Sequence, residues 1–280
     1  MSKKNNGLAL YVLVCSFAFI SGFGQVKADE YKNYFGINMN NEEYNTLLNL
    51  GFSEEEIYYM DENTFDENKD LDATLVAQNE KYYKTIYTNL AGESTSVEVT
   101  ETEYNNQSTM GSRGTVETAY KKMVSTLSQN GSKFRYKVSV SWKNMPSVRS
   151  YDIIGVGFDD PVYISSPVYF NYYSCDSSGN CSTSTQYYDK KKTSTGGSAV
   201  YKFPSSVVSM SSNLYYDVSK NTSSTITRLD MYGDYAHATT SISGSNAMNH
   251  LITHNGIELS SNISYYDAIP CAQSAWSGTW

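Results

Sequence analysis

Proline, histidine and cysteine are scarce in this chain, at 5, 3 and 4 residues in 280. Three histidines leave little material for a histidine-built metal centre. No glycine-rich phosphate loop or other compact catalytic signature occurs. After the first twenty residues no apolar run approaches the ~20 residues that a membrane-spanning helix needs. Basic side chains are also in the minority: 21 Lys and Arg against 29 Asp and Glu, a net charge of −8. An acidic surface repels phosphate backbones, so nucleic acid is not an expected partner.

The N-terminus has the three zones of a secretory signal peptide. Lys3 and Lys4 supply the positive end, Leu8 to Ile20 the apolar stretch, and Val26-Lys27-Ala28 the small residues before a cut expected between Ala28 and Asp29. The apolar stretch is too short for a spanning anchor. Cys15 follows Val14 inside that stretch, which does not fit a lipoprotein site. Removing residues 1–28 lowers the basic count from 21 to 18 against 29 acids, a net charge of −11. The expected location is secreted or extracellular, with no transmembrane segment after cleavage.

Tyrosine is the abundant residue, 26 in all, accompanied by much Ser, Thr and Asn. Tyr and Thr favour pleated, half-buried surfaces, where a ring packs and its hydroxyl reaches water. This composition predicts sheet. Cys175 and Cys181 flank five turn-forming residues, Asp176 to Asn180, between two strand-like runs. A disulfide across that hairpin is expected in an oxidising compartment. Cys271 is then left unpaired.

Residues 29–70 read as a short helical segment. Asn40 or Asn41 caps a first helix that Gly51 stops, Ser53 with Glu56 forms a capping box for a second, and Asp61 or Asn63 begins a third turn holding Phe65. Residues 71–114 read as a mixed extended region and linker, with the polar run Asn105 to Gly114 closing it. Residues 115–280 read as a β-sandwich. The clearest strand is Phe134 to Trp142, where Phe134, Tyr136, Val138, Val140 and Trp142 alternate with Arg135, Lys137, Ser139 and Ser141. Further strands are expected at 151–158, 168–174, 183–188, 198–203, 214–218, 225–231, 236–242 and 257–263. Short strands joined by Ser, Asn and Gly turns, without crossover helices, predict a mainly β fold: an antiparallel sandwich or jelly roll preceded by a small helical segment.

The stretch Trp142-Lys-Asn-Met-Pro-Ser-Val-Arg-Ser-Tyr-Asp-Ile-Ile-Gly-Val-Gly-Phe158, the segment Leu50-Gly-Phe-Ser-Glu-Glu-Glu-Ile57 and the ending Trp-Ser-Gly-Thr-Trp280 together resemble uncharacterised exported proteins of Gram-positive bacteria. The resemblance implies export and carries no activity with it.

No catalytic or metal set is assigned, and no cofactor is called for. His250 and His254 share a face only if their segment is helical, and the intervening Leu-Ile-Thr lacks a metalloprotease's glutamate. Cys271 could pair with one of the three histidines only through the fold. Asp152, Asp159, Asp160, Asp217 and Asp234 are the acids available to a glycosidase-like pair, though Asp159-Asp160-Pro161 also suits a turn. Tyrosine pairs recur at 58–59, 82–83, 172–173, 187–188, 215–216 and 265–266, and each places one ring on either face of a strand. Outward rings could stack on sugars or anchor a protein. The leading expectation is a non-enzymatic binding module for a glycan, a protein or another cell-envelope component. The alternatives are an extracellular carboxylate-dependent glycoside hydrolase and a secreted toxin-like effector.

Overall fold

Successive side chains of a strand point to opposite faces, so an alternating segment presents one apolar face and one polar face that must each find surroundings. The computed structural model describes residues 31–87, 94–106, 118–259 and 265–280. The expected signal peptide and most of the polar run 105–114 lie outside the described residues.

The described chain opens on a ribbon of β1 (Tyr31–Lys32) and β2 (Asn38–Met39), followed by helices α1 (Asn41–Asn49), α2 (Glu54–Tyr58) and α3 (Glu62–Asn68). The helices start where local chemistry satisfies their free N–H groups. The Asn40 side chain accepts from Glu42 and Glu43 N–H while the Glu43 carboxylate accepts from Asn40 N–H at 2.8 Å. Ser53 and Glu56 repeat the arrangement for α2, and Asp61 caps α3. Gly51 turns the chain after α1 at φ +86°. A Cβ there would sit 2.3 Å from the Thr126 side chain.

Beyond them run β3 (Ala73–Tyr87), β4 (Ser94–Val99), α4 (Glu101–Asn106), β5 (Thr118–Asn130), β6 (Lys133–Trp142), β7 (Tyr151–Phe158), β8 (Val162–Ile164) and β9 (Tyr169–Asp176). Then come β10 (Cys181–Ser184), β11 (Asp189–Lys192), β12 (Gly196–Lys202), β13 (Val207–Lys220) and β14 (Arg228–Ala238). The chain finishes with α5 (Gly244–Ala247), the hairpin β15 (His250–Thr253) and β16 (Gly256–Leu259), β17 (Tyr266–Ala268) and β18 (Ala272–Ser277). Among the described residues, the larger sheet has the order β10-β9-β13-β6-β5-β3-β4, with β8 also on β13. The smaller sheet has the order β11-β12-β7-β14-β17, with β18 also on β14. The pairings are antiparallel.

The two sheets pack face to face as a sandwich. Their shared core holds Phe134, Tyr136 and Val138 from β6 with Ile154, Val156 and Tyr235 from the smaller sheet. Burying one such side chain stabilises by about 1.5–3 kcal/mol. Two hydrogen bonds cross the layer: Tyr216 Oη donates to Val156 O at 2.9 Å and Trp142 Nε1 to Tyr235 Oη at 3.1 Å.

Several segments differ from the sequence expectation, each for a physical reason. β3 pairs with β5 from Ala73↔Asn130 to Ile86↔Thr118, so part of the expected region 71–114 is built into the sandwich sheet. β14 is one strand where two were expected at 225–231 and 236–242. Its Gly233 is a point of close packing, since a Cβ there would meet Val138 at 2.9 Å. β13 spans 14 residues because its Ser and Asn positions, which read as breaks, pair with both β6 and β9. The polar side of β6 is not in water. Arg135, Lys137 and Ser139 are buried beneath the ribbon and helices, which form a cap on the outer face of the larger sheet. Met39, Leu47, Leu50, Phe52, Ile57 and Phe65 make its interior with Tyr215.

Candidate binding cleft

Where α3 of the cap meets β9 and β13, the surface opens into a cleft of about 570 Å³. Cap docking creates it. Lys137 Nζ donates to both Glu56 carboxylate oxygens at 2.9 Å and to Gly51 O at 3.0 Å. Arg135 Nε donates to Asp217 Oδ1 at 2.8 Å, and its Nη1 donates to Asn68 Oδ1. Asn68 in turn donates to Thr64 O at 2.6 Å and to Tyr215 Oη at 3.3 Å. The outward charges of β6 therefore fix α3 at a set height above the sheet. The space beside it is the cleft.

Asn63, Asp66 and Glu67 stand on the α3 wall, Tyr169, Asn171 and Tyr215 on the sheet floor, and Thr185, Tyr187 and Lys190 on the far wall. Tyr169 stacks on Tyr215 with ring centres 4.9 Å apart and planes 15° apart. Burial, then the charge of Glu67, raises the Tyr169 hydroxyl above the usual range, with Arg135 opposing. Tyr187 is 49% exposed, and Lys190 Nζ lies 4.5 Å from its ring centre. Asn171 Oδ1 accepts from Asn213 Nδ2 at 2.7 Å. Asn213 Oδ1 is buried without a hydrogen-bond partner and borders a cavity of about 10 Å³, which shares Thr64 and Asn171 with the cleft. That space matches a single water. The cleft thus combines ring faces with amide, hydroxyl and carboxylate groups, the mixture that recognises a hydroxylated ring.

Few of the residues singled out from sequence are here. Cys175 and Cys181 are joined by a disulfide across the β9–β10 hairpin, with Cα atoms 4.1 Å apart. Tyr34 of the cap accepts from Cys181 N–H at 3.2 Å, so the disulfide hairpin borders the cap. His250 lies on β15, its Nε2 2.8 Å from Ser198 Oγ and its Nδ1 3.1 Å from Ala247 O. Burial pushes its imidazole down to about 4. His254 is in the turn that follows, so the helical spacing that would pair the two is absent. Among the described residues no group of three or more His, Cys, Asp or Glu is placed to hold a metal ion. Cys271 is a free thiol raised by burial and then by Asp234, the opposite direction from an activated nucleophile.

The five acids are dispersed. Asp152 is fully buried against His237 Nδ1 at 2.9 Å and Tyr235 Oη, and Asp217 holds Arg135. Asp234 is buried, and burial pushes its carboxyl up to about 7 against two backbone N–H donors. Asp160 is pushed up to about 6 by burial, accepting from Tyr136 Oη and Asp230 N–H. Asp159 is exposed. The cleft's own carboxylates, Asp66 and Glu67, stand on α3 and belong to none of the sequence-derived candidates. The tyrosine pairs 82–83, 172–173 and 215–216 lie on strands and behave as strand geometry requires. Tyr58-Tyr59 instead ends helix α2, and Tyr187-Tyr188 lies between β10 and β11 with both rings exposed. Tyr216 faces the core and Tyr215 the opposite side, but the cap covers Tyr215 and stacks Tyr59 on Tyr173 at 4.7 Å.

No helix among the described residues is long and apolar enough to cross a membrane. No family model matches the chain, and no curated protein matches it. Among solved structures, the chain is similar to one described as a pore forming protein, at 11% identity, over 59% of this chain and 83% of the other, with a TM-score of 0.25. A score that low does not mark a shared fold.

Proposed function

We propose that this chain is an exported, non-enzymatic protein that binds a glycan in the cleft between α3 and the β9–β13 strands. The observation that carries the reading is the cleft itself: about 570 Å³ of open space with Tyr169 and Tyr187 rings beside Asn63, Asn171 and Glu67. Rings stack on the apolar faces of sugars, and amides and carboxylates take their hydroxyls. The N-terminal export pattern and the Cys175–Cys181 disulfide support a compartment where such polymers are met. A hydrolase needs two carboxyl groups facing each other across the scissile bond. Asp66 and Glu67 are consecutive on one wall, which favours binding over cleavage.

Glycan-array screening followed by calorimetry tests the reading. Tyr187→Ala is expected to weaken binding of the retained glycan on the order of tenfold, with Asn171→Ala weaker in effect. The reading fails if no glycan is retained, or if both variants bind as the parent does.

A further inference from the structure

The cap carries a second concavity, of about 410 Å³, whose walls include Tyr31, Tyr44, Tyr58 and Tyr59 with Glu54 and Glu55. Tyr31 and Tyr44 stack at 4.0 Å, and Tyr58 meets Tyr59 edge to face at 4.9 Å. Tyr58 is 47% exposed, and Tyr34 and Phe35 stand exposed beside it. Burial and then Glu54 raise the Tyr44 hydroxyl, and burial and then Glu55 raise that of Tyr59. Glu54 and Glu55 thus bring negative charge to the lining beside these hydroxyls. Elsewhere lysine and arginine heads rest on aromatic rings, as Lys137 does on Phe52 and Arg135 on Tyr215. Among the described residues none rests on these four tyrosines, although Lys32 stands in the lining.

We propose that this concavity binds the quaternary ammonium group of phosphocholine on a zwitterionic lipid surface. Aromatic faces attract a cation through the ring quadrupole, and tyrosine cages suit quaternary ammonium. A lysine-type ammonium is strongly hydrated and needs direct hydrogen-bond acceptors at short range. A trimethylammonium group has no N–H to satisfy, so ring faces with carboxylates among them are sufficient. The exposed rings of Tyr34, Phe35 and Tyr58 have the apolar body and, in the tyrosines, the polar tip that settle at a lipid–water boundary. The net charge of −11 expected after cleavage, 18 basic against 29 acidic residues, opposes an anionic surface, whereas phosphocholine presents its cation to the protein.

Vesicle flotation of residues 29–280, the chain expected after signal cleavage, tests this. Phosphatidylcholine vesicles are expected to carry the protein, and phosphatidylethanolamine and phosphatidylglycerol vesicles to carry on the order of tenfold less. Excess choline chloride releases it, and the uncharged tert-butyl isostere of choline does not. Tyr58→Ala and the pair Glu54→Gln with Glu55→Gln each weaken binding about fivefold to tenfold. All three positions are exposed, and an unchanged thermal melt verifies folding. No flotation with phosphatidylcholine, flotation that persists in excess choline, equal flotation with phosphatidylglycerol, or variants that bind like the parent would each overturn the proposal.

Discussion

The larger and the smaller sheet both cover their outward faces, and they do so by opposite means. On the larger sheet, β6 sends out long charged side chains, and the cap answers Lys137 with Glu56 and Arg135 with Asn68, while Asp217 of the neighbouring strand β13 also holds Arg135. Burial pushes the Lys137 ammonium below the usual lysine range while Glu56 pulls the other way. On the smaller sheet, β7 sends out the apolar Tyr151 and Ile153 and then only glycine, Gly155 and Gly157. A Cβ on Gly157 would lie 2.2 Å from Thr253 O and one on Gly155 3.1 Å from Ile257, so the β15–β16 hairpin rests directly on strand backbone. One carboxylate, Asp234, receives the hairpin through Ile257 N–H at 2.8 Å. The first cover is tied by charge, the second by close approach.

That contrast can be broken most forcefully at Lys137. Lys137→Ala leaves Glu56 buried without a cation and is expected to cost about 3–5 kcal/mol in urea unfolding. Replacing both, Lys137→Met with Glu56→Leu, is expected to recover most of the loss. A cost below about 1 kcal/mol for the single variant would show that the cap is not held by this pair.

The smaller sheet answers to pH instead. The folded Asp234 carboxyl, at about 7, lies above its ordinary value of 3.8, so the protonated form favours the fold. Its contribution is complete below about pH 4 and is lost as pH rises through about 7. Between pH 5 and 8 the decrease is expected to reach about 2–3 kcal/mol by denaturant titration. Asp160, raised to about 6, adds to the same trend. His250 on β15, pushed down to about 4, opposes the trend between about pH 5 and 6.5. Asp234→Asn keeps both other groups, so the Asp234 contribution is the loss in the parent minus the loss in this variant. An unchanged slope would remove Asp234 from the account.

Gly157→Ala sharpens the comparison further. The added methyl meets backbone, which yields poorly, and the hairpin is expected to shift at a cost of about 1–3 kcal/mol. Hydrogen exchange should then rise in β15 and β16 while the cap keeps its protection. The smallest effect is expected at Lys81, whose pair with Glu98 at 3.1 Å is solvated, with 24% and 54% of the side chains exposed. Lys81→Gln should change stability by less than about 1 kcal/mol. A larger loss would mean that ion pairs at the sheet edge matter as those under the cap do.

Much of this architecture was legible from local chemistry. The Asn40/Glu43 and Ser53/Glu56 capping boxes are patterns of adjacent residues, and period two across Phe134–Trp142 fixes which face each side chain takes. What alternation does not state is the surroundings of the polar face. Arg135 and Lys137 read as solvated, and only the partners contributed by Glu56 and Asn68, about 70 to 80 residues earlier, make them interior. A cluster of long cations on a strand beside an acidic helical segment was the available signal. The cleft was not legible at all, because Asp66, Tyr169 and Tyr187 meet only through the docking of the cap. The buried Asp152–His237 pair was likewise invisible, its members being separated by 85 positions.

Tyr215 belongs to two structures at once. Its ring floors the cleft beside Tyr169, and its hydroxyl and opposite contacts meet Asn68 and Phe52 of the cap. Anything that occupies the cleft therefore binds a protein with its cap seated and loses the α3 wall when the cap leaves. By mass action the occupant stabilises the seated state by RT ln(1 + [L]/Kd), about 2.7 kcal/mol at a hundred times Kd. Cap opening then reports on saturation: proteolysis within residues 31–72 becomes a measure of occupancy, available before the ligand has been identified.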